Sequence, residues 1–234
     1  MCRGNQRRYY RSRPARFYGG IGTADCLGCS LRCVFCWSWD KVGRPGRFGQ
    51  FYSPEKVAGR LTTIAYKKGF RRVRISGNEP TLARDHLLQV LRQIPRNILF
   101  ILETNGVLIG HDSTYARDLS GFENLYVRVS IKGSSEAKFS RLTGATPAGF
   151  GMQIQGLENL VRCNVNAYPA VMVSFSSPQN IKALRTRLGG IDKGFEDFEV
   201  EEVVLYGKVE ERLKKAGLGY DTAHEPTRIP PEQL

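Results

Sequence analysis

Cys29-Ser30-Leu31-Arg32-Cys33-Val34-Phe35-Cys36 places three thiols within eight residues of a 234-residue chain. Isolated cysteines behave as small core hydrophobes, a role this crowded run does not fit. Disulfides fit poorly as well: neighbours this close often cannot meet the bridge geometry, and an odd number leaves a thiol over. Clustered thiolates at turn-like spacing are what a soft metal or an iron–sulfur cluster requires. A [4Fe–4S] cube on four cysteines is coordinatively closed. On three it keeps an open iron, much as a catalytic zinc site differs from a structural one. Cys26 keeps the closed alternative in play, because Cys26-x2-Cys29-x3-Cys33-x2-Cys36 could close a cluster or bind zinc. Four-thiolate zinc sites, however, split their ligands into two separated pairs, and ferredoxin-type runs set the fourth cysteine beside a proline.

Around this run the chain is long enough for one large α/β domain. No apolar stretch approaches a membrane span, and no signal-peptide hydrophobic region follows the N-terminus. Clustered free thiols need a reducing compartment, so a cytoplasmic location is expected. The formal charge of +13 favours anionic partners, although excess charge also simply keeps a protein soluble. Residues 1–18 carry Arg3, Arg7, Arg8, Arg11, Arg13 and Arg16 interleaved with Tyr9, Tyr10, Phe17 and Tyr18. They read as a basic arm that grips nucleic acid or packs across the open end of a barrel.

Strand and helix signals then alternate. A strand over Phe17 to Thr23 precedes the cysteine loop, and Ser53-Pro54-Glu55 opens a helix that Gly69 ends. Further strands are expected over Arg72 to Ser76, Ile98 to Leu102, Leu125 to Ile131, Ala170 to Phe175 and Glu199 to Tyr206. Helical patterns separate them, with Ser177-Pro178 a second clear start. Such alternation demands a parallel sheet with crossover helices. With six units, it predicts a partial (β/α)6 TIM-like barrel over residues 19–220, followed by a Pro-rich tail or covering strap over 221–234. In such barrels the active site lies at the C-terminal strand ends. Gly77-Asn78-Glu79-Pro80, Thr104-Asn105-Gly106 and Ser130-Ile131-Lys132 all fall there.

The spacing Cys29-x3-Cys33-x2-Cys36, with Phe35 before the last cysteine, resembles the signature of the radical SAM enzymes. The resemblance covers nearly the whole chain, from about Gly19 to Leu218. It implies a [4Fe–4S] cluster on Cys29, Cys33 and Cys36 whose open iron chelates S-adenosylmethionine. Reductive cleavage would then give a 5′-deoxyadenosyl radical that abstracts hydrogen from a substrate. Gly77-Asn78-Glu79-Pro80 resembles the family's Gly-Gly-Glu-Pro motif, which receives the methionine ammonium. Asn78 departs from the second glycine but tolerates positive φ. Glu79 would meet the ammonium directly or fix the loop. Thr104 and Asn105 would offer hydroxyl and amide groups to ribose or methionine, and Phe35 would lie beside the adenine.

Ser130-x-Lys132 resembles an Asp-x-Lys element of the glycyl-radical-enzyme activases, the pyruvate formate-lyase activating enzyme-like subgroup. Lys132 would neutralise the methionine carboxylate. The implied partners are a one-electron reductant of ferredoxin or flavodoxin type and, as substrate, a glycyl-radical protein. RNA is the alternative substrate class. The non-catalytic alternative is a four-cysteine electron carrier or metal module. Trp37 and Trp39 are expected to shield the cluster, Cys163 to lie in the core, and His86, His111 and His224 to be solvated. Arg44 and Arg47, with the N-terminal arginines, are the basic residues expected at the barrel mouth.

Overall fold

Apolar side chains at alternate strand positions pack against helices, while the residues between them face a polar interior. That alternation positions everything that follows. The computed structural model describes residues 1–233. The chain enters as a ten-residue strand, β1 (Gln6–Ala15), and returns antiparallel to it as β2 (Ile21–Cys26). Five more strands, β3 (Arg72–Ser76), β4 (Leu99–Thr104), β5 (Leu125–Ile131), β6 (Ala167–Met172) and β7 (Glu199–Glu201), then add in sequence order, all parallel to β2. With crossover helices between them this is the expected partial (β/α)6 barrel.

The helices form where the sequence caps them. α1 (Pro54–Lys68) starts at Ser53, whose hydroxyl accepts from Lys56 N–H, and has proline at its first turn; it stops at Gly69 with φ 69°. Its buried face is Val57, Ala58, Leu61 and Ala65. α2 (Arg84–Gln93), α3 (Ala148–Arg162) and α4 (Pro178–Gly189) close the same side of the sheet with Leu87, Val90, Leu157, Leu160, Leu184 and Leu188, all nearly inaccessible. Full burial of one such leucine contributes about 2 kcal/mol, which makes this layer the main store of stability. The short helix Val107–His111 rests directly on α3: a side chain at Gly110 would overlap the Met152 carbonyl. This contact seats the loop that ends β4.

At the termini one expectation changes and one of two alternatives is seen. The basic segment 1–18 is not a detached arm, because β1 is hydrogen-bonded along β2 and also to the short strand Gln50–Tyr52. Phe17 and Tyr18 pack at the barrel floor with Ala15, Ile21 and Ile101. The first strand is accordingly Ile21–Cys26 rather than Phe17 to Thr23. The tail is a strap. Ala223–His224 pairs with Val203–Val204, Asp221 N–H donates to Ser174 O (2.8 Å), and Gln233 bonds the backbone of Val200 and Glu202. Its last residue, Leu234, lies outside the described residues.

Candidate active site

β2 alternates through its final residues: Asp25 faces the barrel interior and Cys26 faces the helix side. Cys26 is therefore fully buried in the core, with Arg7 Nη2 3.4 Å from its sulfur. The three remaining thiols behave differently. Cys29, Cys33 and Cys36 all line a cavity of about 740 Å³ at the C-terminal ends of the strands. Their loop is held from below and behind. Arg32 N–H and Val34 N–H donate to Thr143 O and Leu142 O, each at 2.9 Å. Arg212, from α5 (Val209–Lys215), donates to Val34 O (3.0 Å) and Cys36 O (2.6 Å) while stacking on Trp39.

Among the described residues no three His, Cys, Asp or Glu side chains stand close enough to share one ion. Three thiols on one loop beside a cavity can serve a multi-iron cluster, each iron taking one thiolate. Burial pushes the Cys33 thiol up to about 12, with Lys132 pulling the other way, and raises Cys29 as well. Such thiols ionise when a metal's charge replaces the proton. Asn105 Nδ2 lies 4.0 Å from Cys29 Sγ, and Ser38 Oγ lies 3.5 Å from Cys36 Sγ.

The loop after β3 is zipped to the cysteine loop. Gly28 N–H donates to Asn78 Oδ1 (2.9 Å), Asn78 Nδ2 donates to Ser38 Oγ (2.8 Å), and Glu79 N–H donates to Gly28 O (2.8 Å). The positive φ of this turn belongs to Gly77 (103°), not to Asn78. What Asn78 adds is a clip across the two ends of the cysteine loop. Glu79 is 1 % exposed. Its Oε1 accepts from Thr81 N–H, Thr81 Oγ1 and Thr104 Oγ1, and its Oε2 accepts from Asn105 N–H at 2.7 Å. Of the two roles expected of Glu79, the observed bonds are those of loop fixing.

The same bonds engage Thr104, whose hydroxyl donates to Glu79 and accepts from Gly106 N–H (3.1 Å). Asn105 keeps its amide NH2 toward Cys29 while its Oδ1 caps Val107 N–H (3.0 Å). Ser130, Lys132 and Glu201 form one cluster: Lys132 Nζ donates to Ser130 Oγ, Ser130 Oγ donates to Glu201 Oε2 (2.7 Å), and Lys132 Nζ lies 3.4 Å from the same oxygen. Phe35 is buried, stacked on Phe175 at 5.4 Å, with Lys132 Nζ 5.7 Å from its ring centroid. Gly77, Asn78, Glu79, Thr104, Asn105, Ser130, Lys132 and Phe35 all line the cavity with the three thiols.

Sequence reasoning missed the charged barrel interior. Below the strand ends, Arg74 pairs with Glu103, which also accepts from Ser76 Oγ (2.7 Å) and Tyr18 OH (3.0 Å). Arg128 pairs with Glu199 and with Glu201 (2.7 Å). Burial works to raise the Glu201 carboxyl, but Lys132 and Arg128 outweigh it and hold it down at about 2. The signal was present: Arg74 and Ser76, Arg128 and Ser130, and Glu199 and Glu201 are polar pairs at i, i+2 within strands, the mark of an interior-facing row. Gln153 was missed too. Fully buried on α3, it donates to Ser130 O (2.9 Å) and Asn105 O and accepts from Lys132 N–H (3.1 Å), joining two strand-end loops.

Several expectations fail at the rim. Trp37 is 43 % exposed and edges the cavity rather than sealing it. His86 is buried between Tyr9 OH (3.0 Å) and Asn5 O (2.8 Å), and burial lowers its pKa. His224 meets Glu202 at 2.5 Å. Arg44 and Arg47 are exposed and not among the cavity-lining residues; Arg11 and Arg13 are.

Comparison with known proteins agrees with this geometry. A probable GTP 3′,8-cyclase of Methanosarcina acetivorans is 28% identical over 146 residues, covering 62% of this chain and 42% of that protein. Streptococcus suis SuiB bound to the precursor peptide SuiA superposes with a TM-score of 0.62 at 16% identity, over 85% of this chain and 47% of that one. SuiB bound to S-adenosylmethionine gives 0.60 at 16% identity, over 87% and 45%. This chain thus spans less than half the length of each, and at such identity the SuiB structures share its fold alone. Residues 26–184 match the Radical SAM superfamily, and the chain belongs to that superfamily, whose cofactors are a [4Fe–4S] cluster and S-adenosylmethionine.

Proposed function

We propose that this radical SAM enzyme holds its cluster on Cys29, Cys33 and Cys36, seats S-adenosylmethionine among the strand-end loops, and abstracts hydrogen from a small charged substrate in the barrel interior. One observation carries the reading. The three thiols share a cavity with every strand-end motif, while Cys26 is turned into the core against Arg7. What the bound pair supplies is one-electron reductive cleavage of S-adenosylmethionine, giving a hydrogen-abstracting radical.

The chain's own groups do the rest. Asn105 aims its amide at Cys29, and a hydrogen bond to a ligand sulfur raises a cluster's potential. Lys132 offers its ammonium to the methionine carboxylate from a resting contact with Ser130 and Glu201. Glu79 fixes Thr104 and Asn105, so the backbone groups of both loops are held ready for the methionine and ribose. Leu31, Phe35, Met172 and Val203 form an apolar wall that excludes water from the reacting centre.

For the substrate, the interior of guanidinium and carboxylate groups suits a small polar molecule better than an uncharged protein loop. The cyclase name carried by the Methanosarcina relative is in keeping with an anionic one. A second reading, activation of a glycyl-radical protein, rests on Thr104-Asn105 and Ser130-x-Lys132. A nucleic-acid substrate loses support, since Arg7 of the supposed arm is buried in the core. The reductant is taken to be an acidic ferredoxin or flavodoxin type, matched to a chain of charge +13. The test is anaerobic: iron-loaded protein, S-adenosylmethionine and dithionite should yield 5′-deoxyadenosine. A fully loaded cluster that yields none, and whose spectrum ignores the cofactor, would overturn the reading.

A further inference from the structure

β1 changes face partway along. Tyr9 sits opposite Cys26, but Arg11 sits opposite Asp25, with a register shift between them. In an unbroken strand residues 9 and 11 would share a face. Bulges re-aim side chains in this way beside active sites. Ahead of the shift, Arg7 and Tyr9 point into the helix-side core; beyond it, Arg11 and Arg13 line the cavity. We infer that Arg11 and Arg13 form an oxyanion subsite that receives a phosphate or carboxylate group of the substrate. The inference rests on the reading of this cavity as the active site.

The interior is not evenly neutralised. On its far side Arg128 and Lys132 face Glu199 and Glu201, cation for acid. On the near side two guanidiniums share the single carboxylate of Asp25, which is 1 % exposed, and Arg74 is already spent on Glu103. Arg11 Nε donates to Asp25. Arg13 Nε stays 3.7 Å away, and it has no hydrogen-bond partner although it is shielded from water. A guanidinium carries several in-plane N–H donors; that of Arg11 is engaged by Asp25 and lies against Tyr10, and Arg13 makes no side-chain hydrogen bond among the described residues.

The donors are also pre-positioned. The Arg11 guanidinium lies 5.3 Å from the ring centroids of both Tyr10 and Trp37. Stacking holds a guanidinium by its face and leaves its donor edge free. Both side chains remain about a third exposed, at 39 % and 34 %, so the edge is reachable from the cavity. Two such edges beside one carboxylate leave a net positive, donor-rich corner. It is the chemistry that binds a bidentate oxyanion.

Calorimetric titration of the reconstituted, S-adenosylmethionine-bound protein tests this, with inorganic pyrophosphate in one arm and malonate in the other to separate phosphate from carboxylate. At least one should bind, with affinity falling as salt rises. Arg13→Gln should weaken that anion about tenfold or more, Arg13→Lys less. Asp25→Asn, which removes the competing acid, should tighten it severalfold. Opposite responses from two neighbouring positions are what a merely structural pair would not give. Unchanged anion affinity in both folded variants, or no binding of either anion to the wild type, overturns the inference. So does weakened S-adenosylmethionine binding in Arg13→Gln, seen in the cluster spectrum, because the arginines would then hold the cofactor. Wild-type protein that loads a cluster but does not respond to S-adenosylmethionine sinks the parent reading instead, and this one with it.

Discussion

The two halves of β1 put one residue type to opposite uses. Before the bulge, Arg7 is 1 % exposed and reaches the carbonyls of Leu27, Glu79 and Pro80 together with the Cys26 sulfur. Beyond it, Arg11 and Arg13 are a third exposed and have one carboxylate between them. Desolvating a guanidinium is costly unless its donors are met, and Arg7 spends both Nη groups on the cysteine loop and the Gly77-Asn78-Glu79-Pro80 loop at once, while its Nε stays buried without a partner. It is a clamp whose one unmet donor is sealed in the core, out of a ligand's reach. Arg11 and Arg13 are the reverse case, with donors in reserve. Partner count and burial, rather than residue type, separate structure from function here.

Substitution in the two halves should therefore diverge sharply. Arg7→Met removes the side-chain donor shared by three carbonyls and a thiol and is expected to lower unfolding free energy by roughly 3 kcal/mol in urea titrations. Lysine at the same position should recover only part, since one ammonium cannot span both loops. Arg13→Gln, by contrast, should shift stability by no more than about 0.5 kcal/mol. Equal losses at both positions would break the comparison.

The matched side of the interior gives a pH signature. Glu201 is held down at about 2 against an ordinary 4.5. Its folded value is depressed, so its contribution is complete above about pH 4.5 and is lost as pH falls toward 2. An upper limit is roughly 3 kcal/mol, with a smaller loss expected because the side chain is not wholly removed from water. Glu201→Gln should flatten that acid limb in pH-dependent denaturation; an unchanged limb would mean that other carboxylates carry it. A smaller loss than at Arg7 or Glu201 is expected at Asn78. Asn78→Gly restores the usual motif but removes two hydrogen bonds across the cysteine loop, costing about 1 kcal/mol and loosening S-adenosylmethionine binding a few fold. A stabilised variant would show the clip to be strained.

Much of this was legible in the chain. Ile98 to Leu102 stands out as an apolar run within the strand–helix alternation, Ser53-Pro54 and Ser177-Pro178 mark their helices, and the cysteine spacing marks the loop that leads the site. The strand β1 was not legible. Its arginines and tyrosines follow no single alternation, because a bulge switches the buried face between Tyr9 and Arg11. His86 was read as solvated because its partners, Asn5 and Tyr9, lie about eighty residues earlier in the chain and meet it only after the sheet forms. Gln153 was hidden for a similar reason: on a helix a glutamine reads as surface unless its face is known. Cys26 could have been resolved, since strand alternation sets it opposite to Asp25, which faces the interior.

The central claim is that three thiols, not four, make the site. Iron content and 5′-deoxyadenosine should be measured side by side on anaerobically reconstituted Cys26→Ala and Cys33→Ala. Full iron loading and product from the first, with neither from the second, is the result expected. Loss of the cluster in Cys26→Ala, from protein shown to be folded, would contradict the account and make the site a closed four-cysteine centre.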